Sequence, residues 1–132
     1  MTSGAGYDGP PGSFAVAGER VDERAFVVAL AGEHDLQSAP RVAEQLRAAL
    51  DSDAPAIVVD LTETTFLDST AIHVLLDAHA ARGEGRHILV AGANPDVARI
   101  LALTGIDRYF AFYPTRAAAL ASLERTMPPA PA

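Results

Sequence analysis

Asp68, Ser69 and Thr70 stand together where a strand-like run gives way to a helix-like one. Upstream, Ile57-Val58-Val59 is short, apolar and β-branched, which suits a central parallel strand covered on both faces. Downstream, Ile72, Leu75, Leu76 and His79 recur at the spacing of one helical face. A helix start presents unsatisfied N–H groups and partial positive charge, so a hydroxyl placed there sits where a phosphate is tolerated. Asp, Ser and Thr are also the preferred N-caps, and the tripeptide taken alone reads first as a cap.

Other groups offer less. His34, His73, His79 and His87 lie at no metal-ligand spacing to one another, and no Asp or Glu completes a known pattern, so no metal is expected. His79 is expected at the edge of a buried helix face and His73 in solvent. No Ser sits in a Gly-x-Ser-x-Gly elbow, and Gly83-Glu84-Gly85 follows a helix and reads as a turn, not a phosphate loop. Asp60, ending a parallel strand, invites comparison with the phospho-acceptor of receiver domains. Those domains need an acidic pair after the first strand and a Lys after the last, and this chain has neither. Asp60 is therefore read as a strand-end residue bonded to nearby loop amides. No acid–base–nucleophile set assembles, so the chain is not expected to be an enzyme and no catalytic residue or cofactor is assigned.

Composition narrows the partners. The 132 residues suit one domain, and 49 % hydrophobic content is ordinary for a globular core. Seventeen acidic residues against ten Arg and no Lys give a net charge of −7. Such a chain is repelled by DNA and anionic membranes, so protein partners are expected, with no direct nucleic-acid contact and no membrane insertion. Lysine Schiff-base and P-loop chemistry are excluded. No Cys is present, no run reaches spanning length and Met1–Gly12 lacks the features of a secretory signal, all of which points to the cytoplasm.

The elements that must position Ser69 follow from periodicity and punctuation. Residues 1–12, rich in Gly and Pro, read as a flexible tail, and 126–132 as a Pro-rich one, leaving 13–125 as the domain. Strands are expected at 13–18, 25–31, 56–61, 87–91 and 109–113. The first two form an antiparallel hairpin, and residues 32–36 and 62–68 are loops. Helices are expected at about 39–50, capped by Ser38 with Pro40 in the first turn; 69–82; 95–104, capped by Asn94 with Val97, Ile100, Leu101 and Leu103 as its apolar residues; and 115–125, with Leu120 and Leu123 inward. The order ββαβαβαβα predicts an α/β domain with a mixed, mostly parallel five-stranded sheet and about four helices.

Four pieces of the chain, in order, resemble one family. Gly32-Glu33-His34-Asp35-Leu36 is similar to a Gly-Glu-Leu-Asp loop, with His34 in place of an apolar residue. Phe66-Leu67-Asp68-Ser69-Thr70-Ala71 is similar to a phosphorylation loop, with Ala71 where Gly is usual. Leu103-Thr104-Gly105-Ile106 and the run from Tyr113 to Leu120 are similar to a last helix–strand–helix. Together they resemble the STAS-domain anti-sigma factor antagonists, from about Phe14 to Leu123. The resemblance implies a STAS-like fold and a phosphorylation site at Ser69. It implies that Asp35 and Asp68 lie beside Ser69 on a partner-binding face that Thr70 shares, Thr70 being expected mainly as a capping residue and also as a second or substitute acceptor. It implies two partners: an anti-sigma factor with a serine-protein kinase fold, which the unphosphorylated protein binds to free a sigma factor, and a serine phosphatase that resets the switch. The alternative on the same fold is a STAS domain that binds a lipid or nucleotide, or scaffolds a transport or signalling complex.

Overall fold

The computed structural model describes residues 7–126. The chain runs β1 (Phe14–Arg20), β2 (Ala25–His34), α1 (Ala39–Asp51), β3 (Ala56–Leu67), α2 (Ser69–Ala81), β4 (His87–Ala91), α3 (Pro95–Leu103), a 3-10 turn (Ile106–Arg108), β5 (Ala111–Tyr113) and α4 (Arg116–Thr126). The strands lie side by side in sequence order, β1 antiparallel to β2 and all other neighbours parallel. This is the expected element order and mixed sheet.

Side chains alternate across the sheet and build two cores. Val28, Leu30, Ile57, Val59, Leu61, Ile88 and Val90 face α1, α2 and α3, meeting Val42, Leu46, Ile72, Leu75, Val97 and Leu101. The intervening Ala25, Val27, Ala56, Val58, Leu89 and Ala91 face α4, meeting Ala119 and Leu123. Each of α1, α2 and α3 links one parallel strand to the next in the same direction, so one crossover hand places all three on one face. After β5 there is no further strand to reach, and α4 is left to cover the other face.

The largest departure from expectation is the length of β2 and β3. Both continue through the stretches read from sequence as loops. Ala29 pairs with Asp60 but Ala31 with Glu63, and Gly32 pairs with Thr64 but Glu33 with Phe66. Two bulges in β3 absorb the extra residues, which is why strict alternation fails in Thr62-Glu63-Thr64-Thr65 although pairing persists. Thr64 fastens the distorted region: its buried hydroxyl donates to Leu30 O at 2.7 Å, and its carbonyl accepts from Asn94 Nδ2 at 3.1 Å. Gly32 has φ +85°, and an added Cβ would lie 2.3 Å from Ser13 O, so this point of close approach accepts no side chain.

Smaller corrections follow the same logic. The segment from Tyr7 to Ser13, assigned by composition largely to the tail, is seated on the end of β2. Tyr7 Oη and Ser13 Oγ are 2.7 Å apart, Gly12 N donates to Glu33 Oε2 at 2.9 Å and Glu33 N to Ser13 O at 2.9 Å. Residues 1–6 and 127–132 lie outside the described residues. β5 has three residues, because Tyr109 and Phe110 leave the 3-10 turn and Phe110 packs into the main core. Leu103, counted with the apolar residues of its helix, is exposed at the last position of α3. Leu123 is buried as expected, while Leu120 is half-buried against the smaller core.

Candidate functional site

Parallel pairing sets the site. His34 and Leu67 are partners at the ends of β2 and β3, so Asp35 and Asp68 leave the sheet as neighbours. The Asp68 N–H donates to His34 O at 3.0 Å and ties the two turns together. Each Asp then organises its own helix start. Asp35 Oδ1 accepts from Gln37 N at 2.9 Å, and its carbonyl accepts from Ser38 N and Ala39 N. Asp68 is the N-cap of α2: it is extended, with Oδ1 accepting from Ala71 N at 3.1 Å.

Ser69 is the first residue of α2. It is exposed, and its hydroxyl makes no hydrogen bond to any described residue. Thr70 follows, half-buried. The cap is therefore Asp68, and Ser69 is left outside it with a free hydroxyl at the positive end of a helix whose first turn carries no acidic residue. Ser38 holds the expected N-cap position of α1, but its side chain does not cap. Its Oγ, fully buried, lies 3.0 Å from His34 Nδ1 and accepts from Asp35 N at 3.1 Å. His34 is buried as well, its Nε2 2.9 Å from Ala31 O.

Asp60 does bond a nearby amide, accepting from Thr62 N at 3.0 Å and from the Thr62 hydroxyl. It also receives Arg116 Nε at 2.7 Å, a partner the sequence did not single out. Burial pushes the Asp60 carboxyl up, yet the Thr62 and Arg116 bonds outweigh it and hold it below the ordinary 3.8. Asp60 sits well inside β3, since the strand continues to Leu67. His79 is half-buried at the edge of α2, with Tyr109 and Phe110 ring centroids at 5.3 and 5.4 Å; His73 is exposed. Among the described residues no group of three His, Asp or Glu could hold a metal.

Residues 17–114 match the family model described as "Mlab, STAS domain". A crystal structure of an anti-sigma factor antagonist from Mycobacterium paratuberculosis superimposes with a TM-score of 0.80 at 30 % identity, covering 87 % of this chain and 97 % of that one. The chain belongs to the STAS-domain anti-sigma factor antagonist family. An anti-sigma-B factor antagonist from Listeria monocytogenes is 29 % identical over 79 residues, 59 % of this chain and 69 % of that protein. The Bacillus cell fate determinant SpoIIAA in its phosphorylated form shares the fold, with a TM-score of 0.65 at 18 % identity, covering 83 % of this chain and 99 % of that one.

Set in this STAS domain, Ala71 is unstrained. It is buried in the main core within α2, and every residue with positive φ among those described is a glycine. Two residues of the site were missed from sequence. Leu36 is 73 % exposed and Phe66 42 %, one directly after Asp35 and the other two residues before Asp68. Neither carried a signal in the sequence: both lie in stretches read as loops, and only the pairing of β3 with β2 puts Phe66 on the face opposite buried Leu67, where it is left exposed.

Proposed function

We propose that this STAS-domain protein binds a kinase-type anti-sigma factor through the face around Ser69, frees the sigma factor, and is switched off when Ser69 is phosphorylated. The observation that carries this reading is the unpartnered, exposed Ser69 hydroxyl at the start of α2, beside Asp68 and Asp35 and flanked by exposed Leu36 and Phe66. Exposed apolar side chains beside fixed polar groups are what a partner can bury. Thr70 shares the face and is the substitute acceptor. The protein acts by binding rather than turnover, in the cytoplasm, and a serine phosphatase resets it. No helix among the described residues is long and apolar enough to cross a membrane.

Phosphorylation adds about −1.5 to −2 charges beside Asp68. The start of α2 tolerates that charge. An interface formed around a neutral hydroxyl does not: one unit of repulsion at ~5 Å with an effective dielectric of ~20 is about 3 kcal/mol, more than a hundredfold in affinity. The switch is thus local electrostatic blocking, with the backbone unchanged.

Full-length Ser69→Ala and Ser69→Glu baits in lysate of the native host test this. Capture of a kinase-like anti-sigma factor by the Ala bait and its loss by the Glu bait is expected. Equal capture by both removes Ser69 as the switch. Capture of no such protein by either removes the anti-sigma reading.

A further inference from the structure

His34 has no role in the function proposed above, yet it sits beneath the site. Its carbonyl receives the Asp68 N–H, and its ring reaches Ser38, which in turn receives the Asp35 N–H. Hydrogen-bond chemistry settles the proton. Ala31 O can accept but not donate, so Nε2 at 2.9 Å carries the hydrogen. In a neutral ring Nδ1 is then an acceptor, and the Ser38 hydroxyl must donate to it. Ser38 Oγ is left to accept from Asp35 N at 3.1 Å. Every polar atom of this buried chain of contacts is satisfied with the ring neutral, and the Ser38 hydroxyl has Asp35 O as a second, longer acceptor at 3.3 Å.

A second proton exchanges that arrangement for a weaker one. Nδ1 becomes a donor, and the Ser38 hydrogen must turn to Asp35 O, which is 3.3 Å away and already accepts from Ser38 N and Ala39 N. The imidazolium would also lie fully buried at the positive end of α1. The charges that face the ring are few. Asp35 follows it, Asp68 lies across the strand end, and Glu33 precedes it with its carboxylate on Gly12 N. β1 presents Phe14, with ring centroids 5.8 Å apart, β3 presents Leu67 and the first turn of α1 presents Ser38, none of them charged. Burial outweighs the Ala31 bond and the Asp35 charge, holding the ring below the ordinary 6.5.

We propose that His34 is a positioning residue that locks the Asp35 and Asp68 turns together while its ring is neutral, and that protonation releases the face carrying Ser69. Its functional meaning rests on the partner-binding reading above, under which affinity falls with acid. A family member with an apolar residue at this position lacks the device.

The test is an NMR titration of the 15N-labelled full chain from pH 8 to pH 4.5, which needs no partner, so a failed bait experiment and a failed titration are read separately. At pH 8 the His34 ring shows the Nε2–H tautomer. On acidification it titrates below 6.5, and the amides of Asp35, Ser38, Asp68 and Ser69 shift with the same midpoint. His34→Leu abolishes that shared component. Ser38→Ala, which keeps the ring, lets His34 titrate without moving Asp35. The proposal is overturned if His34 stays neutral until the whole chain unfolds, if Asp35 and Asp68 do not follow its midpoint, or if the shared response survives in His34→Leu. A purely structural histidine would leave those amides without a common midpoint.

Discussion

The two ends of the sheet treat their polar groups in opposite ways. Where β2, β3 and β4 begin, charges are spent on the protein itself. Arg86 donates from Nη1 to Leu50 O at 2.7 Å, from Nη2 to Ala54 O at 2.9 Å and Ala49 O at 3.1 Å, and from Nε to Ala54 O at 3.2 Å, closing the carbonyl end of α1. Around it Arg20 pairs with Asp53, and Arg24 with Asp22 and Glu124. Where the same strands end, α1, α2 and α3 begin, and Ser69, Leu36 and Phe66 are left facing solvent. Open parallel sheets bind at this carboxyl end because helix starts and loops converge there. One end holds the fold; the other is kept available.

That contrast can be broken at either end. The largest expected effect on stability is at the first. Arg86→Ala leaves several partly buried carbonyls of the α1 terminus without their cation, and a loss of about 3 kcal/mol is expected, read as a lower urea midpoint with an unchanged slope. Partner affinity, compared where both proteins are folded, is expected to stay the same. A variant that kept its stability but lost binding would reverse the assignment of the two ends. At the other end, Leu36→Ala and Phe66→Ala remove exposed side chains. Each is expected to lower affinity for the anti-sigma factor by about tenfold, or about 1.4 kcal/mol, while the urea midpoint moves by less than about 0.5 kcal/mol. Larger destabilisation than loss of binding would make these residues part of the scaffold.

The acid response of His34 sharpens the comparison from inside the site. Its folded-state pKa is depressed, so an unfolded chain takes up the proton first as pH falls. The stability contributed by the neutral ring is full above about 6.5 and declines below it, with a limiting slope of about 1.4 kcal/mol per pH unit. His34→Leu is expected to flatten the urea midpoint over that window. Asp60 acts lower on the scale: its depressed carboxyl contributes stability present above the ordinary 3.8 and lost as pH falls through its folded value.

How much of this was legible depended on whether the signal was local. Helix starts were, because Pro40, Asp68 and Asn94 with Pro95 announce them through their own chemistry, and the strand–helix alternation then settled the topology. Asp35, Asp68, Ser69 and Thr70 were placed by motif, and the fold does bring them to adjoining turns. What escaped was non-local. The bulged pairing of Thr62–Leu67 with β2 depends on Thr64 reaching Leu30, 34 residues away, and Arg116 reaches Asp60 across 56. Neither leaves a trace in periodicity. The exposure of Leu103 escaped for a different reason: at the last position of α3 it kept helical spacing but had no neighbour left to cover it.

The central claim is that Ser69 is a charge-operated switch on an otherwise constant surface. The direct measurement is the affinity of the captured anti-sigma factor for the full chain with Ser69 free and with Ser69 phosphorylated, by titration calorimetry at neutral pH. Loss of more than a hundredfold on phosphorylation, with amide spectra unchanged beyond the residues around Ser69, is the expected result. Equal affinities, or a loss accompanied by shifts throughout the sheet, would contradict it.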